Sequence, residues 1–151
     1  MKKGLGMALI VAAVALYGSM GRAGFGFSVK NVRGTYASTF HGTIDGTGVL
    51  TADGAGNIVA GTETVNDGTN GCVGSLKGSY TVNPDGTGTL TIHFTTTKTL
   101  FGACPSPSNP MLNNAAIVVV SDRKIEVSGT DLDLLESGTL TKQRPPFRDF
   151  D

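Results

Sequence analysis

The sequence predicts an all-β fold, a single antiparallel meander closing into a barrel of about eight strands, with a two-sheet β-sandwich as the alternative. Three observations carry this. From Val32 onward the chain consists of short Thr- and Val-rich runs, and Gly with β-branched residues at that density disfavours helix. Turn signals recur at Asp45-Gly46, Asp53-Gly54, Asp67-Gly68, Asn70-Gly71 and Asp85-Gly86, the spacing of successive hairpins. No segment in this part keeps a 3.6-residue apolar period over three turns.

The first 23 residues read as an address rather than as part of the fold. Lys2 and Lys3 precede an apolar run of 13 residues, Leu5 to Tyr17, and Gly21 and Ala23 stand at the −3 and −1 positions of a cleavage site. Thirteen residues are short for a bilayer span, which takes about 20. The expectation is a signal-peptide helix over 1–23, a linker over 24–31, the barrel domain over 32–142 and a polar tail over 143–151. The mature protein is then periplasmic or secreted, with no membrane contact after cleavage.

Elements follow in order. Strands are expected at Val32–His41, with Tyr36, Ser38 and Phe40 on one face, at Gly46–Ala52 and at Asn57–Val65. The cleanest hairpin spans Cys72 to Thr97. Leu76, Gly78, Tyr80 and Val82 alternate with polar residues before the Asn83-Pro84-Asp85-Gly86 turn, and Leu90, Ile92 and Phe94 do so after it. Lys98–Asn114, with Pro105, Pro107 and Pro110, reads as a loop. Ala115–Ser121 is apolar without interruption from Ala115 to Val120, which suggests a strand buried on both faces or a homo-oligomer contact through Ala115–Val120. Lys124–Ser128 and Ser137–Lys142 complete the set, with Leu132, Leu134 and Leu135 in a bend or at the start of the last strand. Arg144-Pro145-Pro146 ends the fold. Closing such a sheet removes its two exposed edges.

Cys72 and Cys104 are the two cysteines, and in an exported chain an even count favours a disulfide. Pairing outward from the Pro84-Asp85 turn places Cys72 opposite roughly residue 97, so a bond to Cys104 would tie the proline loop back onto its partner strand. The formal net charge is zero, and losing Lys2, Lys3 and Arg22 leaves it at −3, so electrostatics give no reason to expect nucleic acid as a partner.

Gly34-Thr35-Tyr36, then Ala52-Asp53-Gly54-Ala55-Gly56-Asn57-Ile58, then Gly78-Ser79-Tyr80-Thr81-Val82-Asn83 with Asp85-Gly86-Thr87-Gly88-Thr89-Leu90-Thr91 resemble a group of small exported bacterial β-proteins of unknown function. The likeness covers roughly residues 32–142. More distantly the pattern is similar to the calycin barrels, lipocalins and avidins, whose first strand opens with Gly-x-Trp; here Tyr36 holds the aromatic place. The resemblance implies a barrel architecture. It implies no biotin site, because the Trp-lined avidin pocket has no counterpart in a chain without Trp.

The sequence carries no catalytic motif: GxSxG, HExxH, a P-loop and Gly-x-Gly-x-x-Gly after a strand are all missing. By alternation His41 and His93 fall on the wet face. The Asp-Gly turns lack EF-hand spacing, and two His with two Cys at no CxxC spacing do not make a metal site. No cofactor is expected. Glu63 shares a strand parity with Val59 and Val65, and points inward if that face is the dry one; a solvated edge position is the alternative. The reading that remains is a non-catalytic binding module holding a small apolar ligand, with Tyr36, Phe40, Glu63, Leu76, Tyr80, Ile92 and Phe94 as candidate lining. Against it stand a filled core, as eight-stranded barrels often have, with a structural or cell-surface interaction role, and third a barrel isomerase or cyclase.

Overall fold

The computed structural model describes residues 26–131 and 136–144. Residues 1–25, which include the expected signal peptide, and Leu132, Leu134, Leu135, Pro145, Pro146 and the rest of the tail lie outside the described residues. Eight strands form a closed antiparallel barrel in sequence order: β1 (Arg33–Gly42), β2 (Asp45–Asp53), β3 (Asn57–Asn66), β4 (Gly71–Val82), β5 (Thr87–Phe101), β6 (Met111–Val119), β7 (Lys124–Gly129) and β8 (Glu136–Lys142). Closure is made by β1 on β8, from Tyr36 opposite Lys142 to Gly42 opposite Glu136. The barrel is therefore the architecture, and the sandwich is not.

Alternation decides which side chains go inside. Tyr36 and Ser38 on β1, Leu76 and Tyr80 on β4, and Leu90 and Phe94 on β5 are buried, and their sequence neighbours face outward. The β4–β5 hairpin pairs Leu76 with Phe94 and Tyr80 with Leu90, so apolar partners sit opposite one another on the dry face.

Strand lengths differ from expectation at the proline loop. β5 runs on to Phe101 and β6 begins at Met111, leaving only residues 102–110 as loop. Leu112, Asn113 and Asn114 pair with His93, Ile92 and Thr91, because the β5 backbone offers a ladder that the side-chain composition of this stretch does not advertise. Register shifts within β4 place Cys72 opposite Thr99 rather than residue 97. Cys72 and Cys104 are bonded, with sulfurs 2.04 Å and Cα atoms 5.8 Å apart.

β6 corrects the reading of a strand buried on both faces. Ile117 and Val119 are buried, but Val118 and Val120 are 47% and 54% exposed. The uninterrupted apolar run hides an ordinary alternation, half of it facing outward.

The two ends of the barrel are unlike. At one end, a short 3₁₀ turn (Val29–Asn31) crosses the opening, and Val32 is buried beneath it. Tyr80 holds this plug: its hydroxyl lies 3.1 Å from the Val29 carbonyl and 3.0 Å from that of Val32, and accepts the Gly54 N–H at 3.1 Å. Phe27 packs beside it, its N–H donating to the Pro84 carbonyl at 3.1 Å. At the other end lie the connections 43–44, 67–70 and 102–110, the last tied down by the disulfide and by the Ala103 N–H on Asn70 Oδ1. Among the described residues nothing comparable crosses that mouth.

Tyr80→Phe removes the oxygen that joins the plug to the wall and leaves its carbonyls short of a donor; chemical denaturation should show a loss of about 1–3 kcal/mol. Replacing both cysteines by Ala frees the rim loop from β4, and the same measurement should show a loss of about 3–4 kcal/mol.

Candidate functional site

A cavity of about 80 Å³ occupies the half of the barrel nearer the mouth. That is several times the ~10–15 Å³ one water needs on the same measure. Its apolar wall comes from Phe40, Leu50, Leu76, Leu90, Ile92 and Leu140, on five different strands. The room is made by small residues opposite large ones. Gly46 is the cross-strand partner of Phe40, and a Cβ there would stand 2.0 Å from the Phe40 ring, so only glycine lets that ring lie flat against β2.

Four of the sequence candidates, Phe40, Glu63, Leu76 and Ile92, are brought together here. Three are not. Tyr80 belongs to the closed end. Tyr36 is wholly buried, with a hydroxyl that finds no hydrogen-bond partner among the described residues; burial above all, helped by Tyr80 and Asp122, pushes its phenol up to about 12. Phe94 lines a second recess of about 300 Å³ under the 102–110 loop, beside Met111, Val65 and the disulfide. Sequence reasoning missed Ser38 and Leu50, although alternation marks both, and Asn113, Asp131 and Glu136, which fell in presumed loops or just outside a strand.

Glu63 is the polar centre of the cavity. Its side chain is inside the barrel at 7% exposure, but not by the parity that suggested it. Val59, on the same parity, is 48% exposed, while Ile58 is buried. An irregularity between Ile58 and Thr62 turns Val59 and Ala60 outward in succession, and the inward series resumes at Gly61, Glu63 and Val65. Ser38 Oγ donates to Glu63 Oε1 at 3.1 Å, over Gly48 of β2, which pairs with both residues.

Two further carboxyls line the same space. Asp131 accepts the Asn114 backbone N–H at 2.7 Å and its side-chain amide at 3.1 Å, and these bonds hold its carboxyl below the usual range. Glu136 is pushed up by partial burial and then by the Asp131 charge, and one of its oxygens is buried without a partner among the described residues. Glu63 is pushed up from 4.5 to about 7, first by burial, against the opposing Ser38 bond, and then by Glu136. The three carboxyls thus influence one another from the rim inward.

The histidines do not enter. His41 lies on the outside, its Nδ1 3.1 Å from Asp45 Oδ1 with both side chains exposed, and His93 is exposed as well. The carboxylates of the Asp-Gly turns are occupied by their own turns. Asp67 accepts the Thr69 and Asn70 backbone N–H groups at 2.8 and 2.6 Å, and Asp53 those of Ala55 and Asn57 at 2.7 and 3.0 Å. Among the described residues no group of three His, Cys, Asp or Glu is placed to hold a metal ion, and no helix is long and apolar enough to cross a membrane.

No protein-family model matches the chain, and no curated protein matches it. Among solved structures, that of a redesigned β-barrel, mFAP1, bound to DFHBI, is similar, with a TM-score of 0.51 over 76% of this chain and 97% of that one. At 18% identity the likeness is one of fold, an eight-stranded antiparallel barrel.

Because the folded state raises the Glu63 pKa, the contribution of the neutral carboxyl is fully present below pH 4.5 and is lost as pH rises towards 7. Denaturation across that window should show stability falling by up to roughly 3 kcal/mol. Glu63→Gln, which cannot ionise, should flatten most of that slope.

Proposed function

We propose that the chain is a non-catalytic binding module that takes a small, mostly apolar molecule into the mouth-side cavity. The supporting observation is the asymmetry of the interior: side chains and the 3₁₀ plug close one end, while at the other the described residues leave an apolar space with buried polar groups. Pockets of that kind, mainly apolar with a few convergent polar groups, are the usual form of small-molecule sites. That mFAP1 is a barrel of this type bound to DFHBI supports the same use of the space. Of the lining first expected, Phe40, Glu63, Leu76 and Ile92 serve directly; Tyr36, Tyr80 and Phe94 frame them.

Export to the periplasm or the cell exterior, from a bacterial source, accompanies this reading; the basic, apolar and small-residue order of the first 23 residues and the Cys72–Cys104 bond support it. A second reading, an interaction protein, is favoured by the outward Val118 of β6 and Val120 just beyond it, which would serve as the contact in a homo-oligomer.

The test uses the purified protein and indole, a neutral apolar probe. Titration followed by methyl NMR should shift the Ile92, Leu140 and Val127 signals along a saturating one-to-one curve. Ala115→Phe, with Ala115→Met as a milder change, places extra side chain in the cavity and should weaken binding at least tenfold with an unchanged β-sheet circular-dichroism spectrum. Unmoved cavity methyls, together with a stable oligomer in the native mass spectrum, would overturn the binding reading in favour of the second.

A further inference from the structure

The charged chemistry of the cavity is one-sided. Its titratable lining groups are Glu63 from β3, Glu136 from β8 and Asp131 from the turn after β7, and no Lys, Arg or His is among the lining residues. Asp131 has both oxygens engaged by Asn114, so it is a fixed negative charge at the rim. Glu63 is more than nine-tenths buried and aimed into the space; one oxygen accepts from Ser38, and the other has no hydrogen-bond partner among the described residues. Glu136 Oε1 and Asn113 Oδ1 are likewise buried in the lining with no donor to satisfy them. All of these are acceptors. Buried acceptors without partners are costly and rare, so Glu136 Oε1 and Asn113 Oδ1 each call for a donor that the described residues do not supply.

Resting on the binding-module reading, we propose that the cavity selects a small organic cation: an apolar body seated against Leu50, Leu76 and Ile92, with a primary or secondary ammonium directed at Glu63 and Glu136. An ammonium offers two or three N–H donors and one positive charge, which matches the free acceptors and offsets the repulsion among three carboxylates held in one low-dielectric space. An anionic ligand would add a fourth like charge. A neutral one would leave the carboxylates unpaired when ionised. Since the ammonium favours the ionised form of both glutamates, binding near neutral pH should release protons, and affinity should rise with pH while the amine itself stays charged.

Three probes of matched size separate the alternatives: 2-phenylethylamine, 2-phenylethanol and 3-phenylpropionate, titrated by calorimetry into the whole protein at pH 5.5 and 8. The amine should bind at least tenfold more tightly than the alcohol at pH 8, less so at pH 5.5, and the carboxylate most weakly of the three. Glu63→Gln should reduce the preference for amine over alcohol to about threefold or less while keeping alcohol affinity within about twofold; Glu136→Gln should reduce it partly. Equal binding of amine and alcohol, or an undiminished preference in Glu63→Gln, would overturn the cation assignment and leave the binding module standing. If none of the three binds and indole also fails, the binding reading itself falls, and the inference with it.

Discussion

The ladder between β1 and β8 is the constraint on which the rest depends. Once Tyr36 faces Lys142 and Gly42 faces Glu136, the sheet has no free edge, and every strand has one inside and one outside. Inside and outside then become properties of residue parity, and a polar group on the inner parity must find its partner within the barrel. Ser38 and Glu63 meet that requirement for each other, their hydrogen bond passing along the inner wall over Gly48 of the strand between them.

Closure alone leaves two openings, and the chain treats them oppositely. Phe27 to Val32 is spent on sealing one, with the Tyr80 hydroxyl as the fastening. The other is bordered by the longest connection, 102–110, held at Cys104 and resting on Asn70. Close packing at the first end lets the second carry features that cost stability: a volume and buried acceptors that the described residues leave open, and carboxyls raised by burial. Destabilising groups of this kind tend to gather where a protein works.

Much of the fold was legible because alternation is a local signal. The β4–β5 hairpin could be written out residue by residue from Leu76 to Phe94, since dry and wet side chains take turns on both sides of a Pro-Asp-Gly turn. The pairing of Cys72 with Cys104 followed from count and position. Legibility failed where the determining contact is distant. Leu112 to Asn114 look like loop and become strand because β5 already presents a backbone to pair with. Ala115 to Val120 look buried throughout, yet apolar residues on an outer face cost a monomer little. The site was legible in part: Phe40, Leu76 and Ile92 announced themselves by parity, whereas Asn113, Asp131 and Glu136 reach the cavity only through strand ends that sequence does not fix. Tyr36 and Tyr80 were placed on the correct face but at depths no linear pattern encodes.

The irregularity at Val59 and Ala60 has an evolutionary corollary. Period-two chains ordinarily diversify by substitution, one position at a time, within the side of the wall a residue already occupies. One extra residue in an evenly alternating strand would carry everything beyond it through the wall at once. The doubling of outward residues at Val59 and Ala60 absorbs such a step, so that Ile58 before it and Glu63 and Val65 after it share the inside. Barrels of this kind can therefore take up a change of strand length without trading their pocket groups for surface ones.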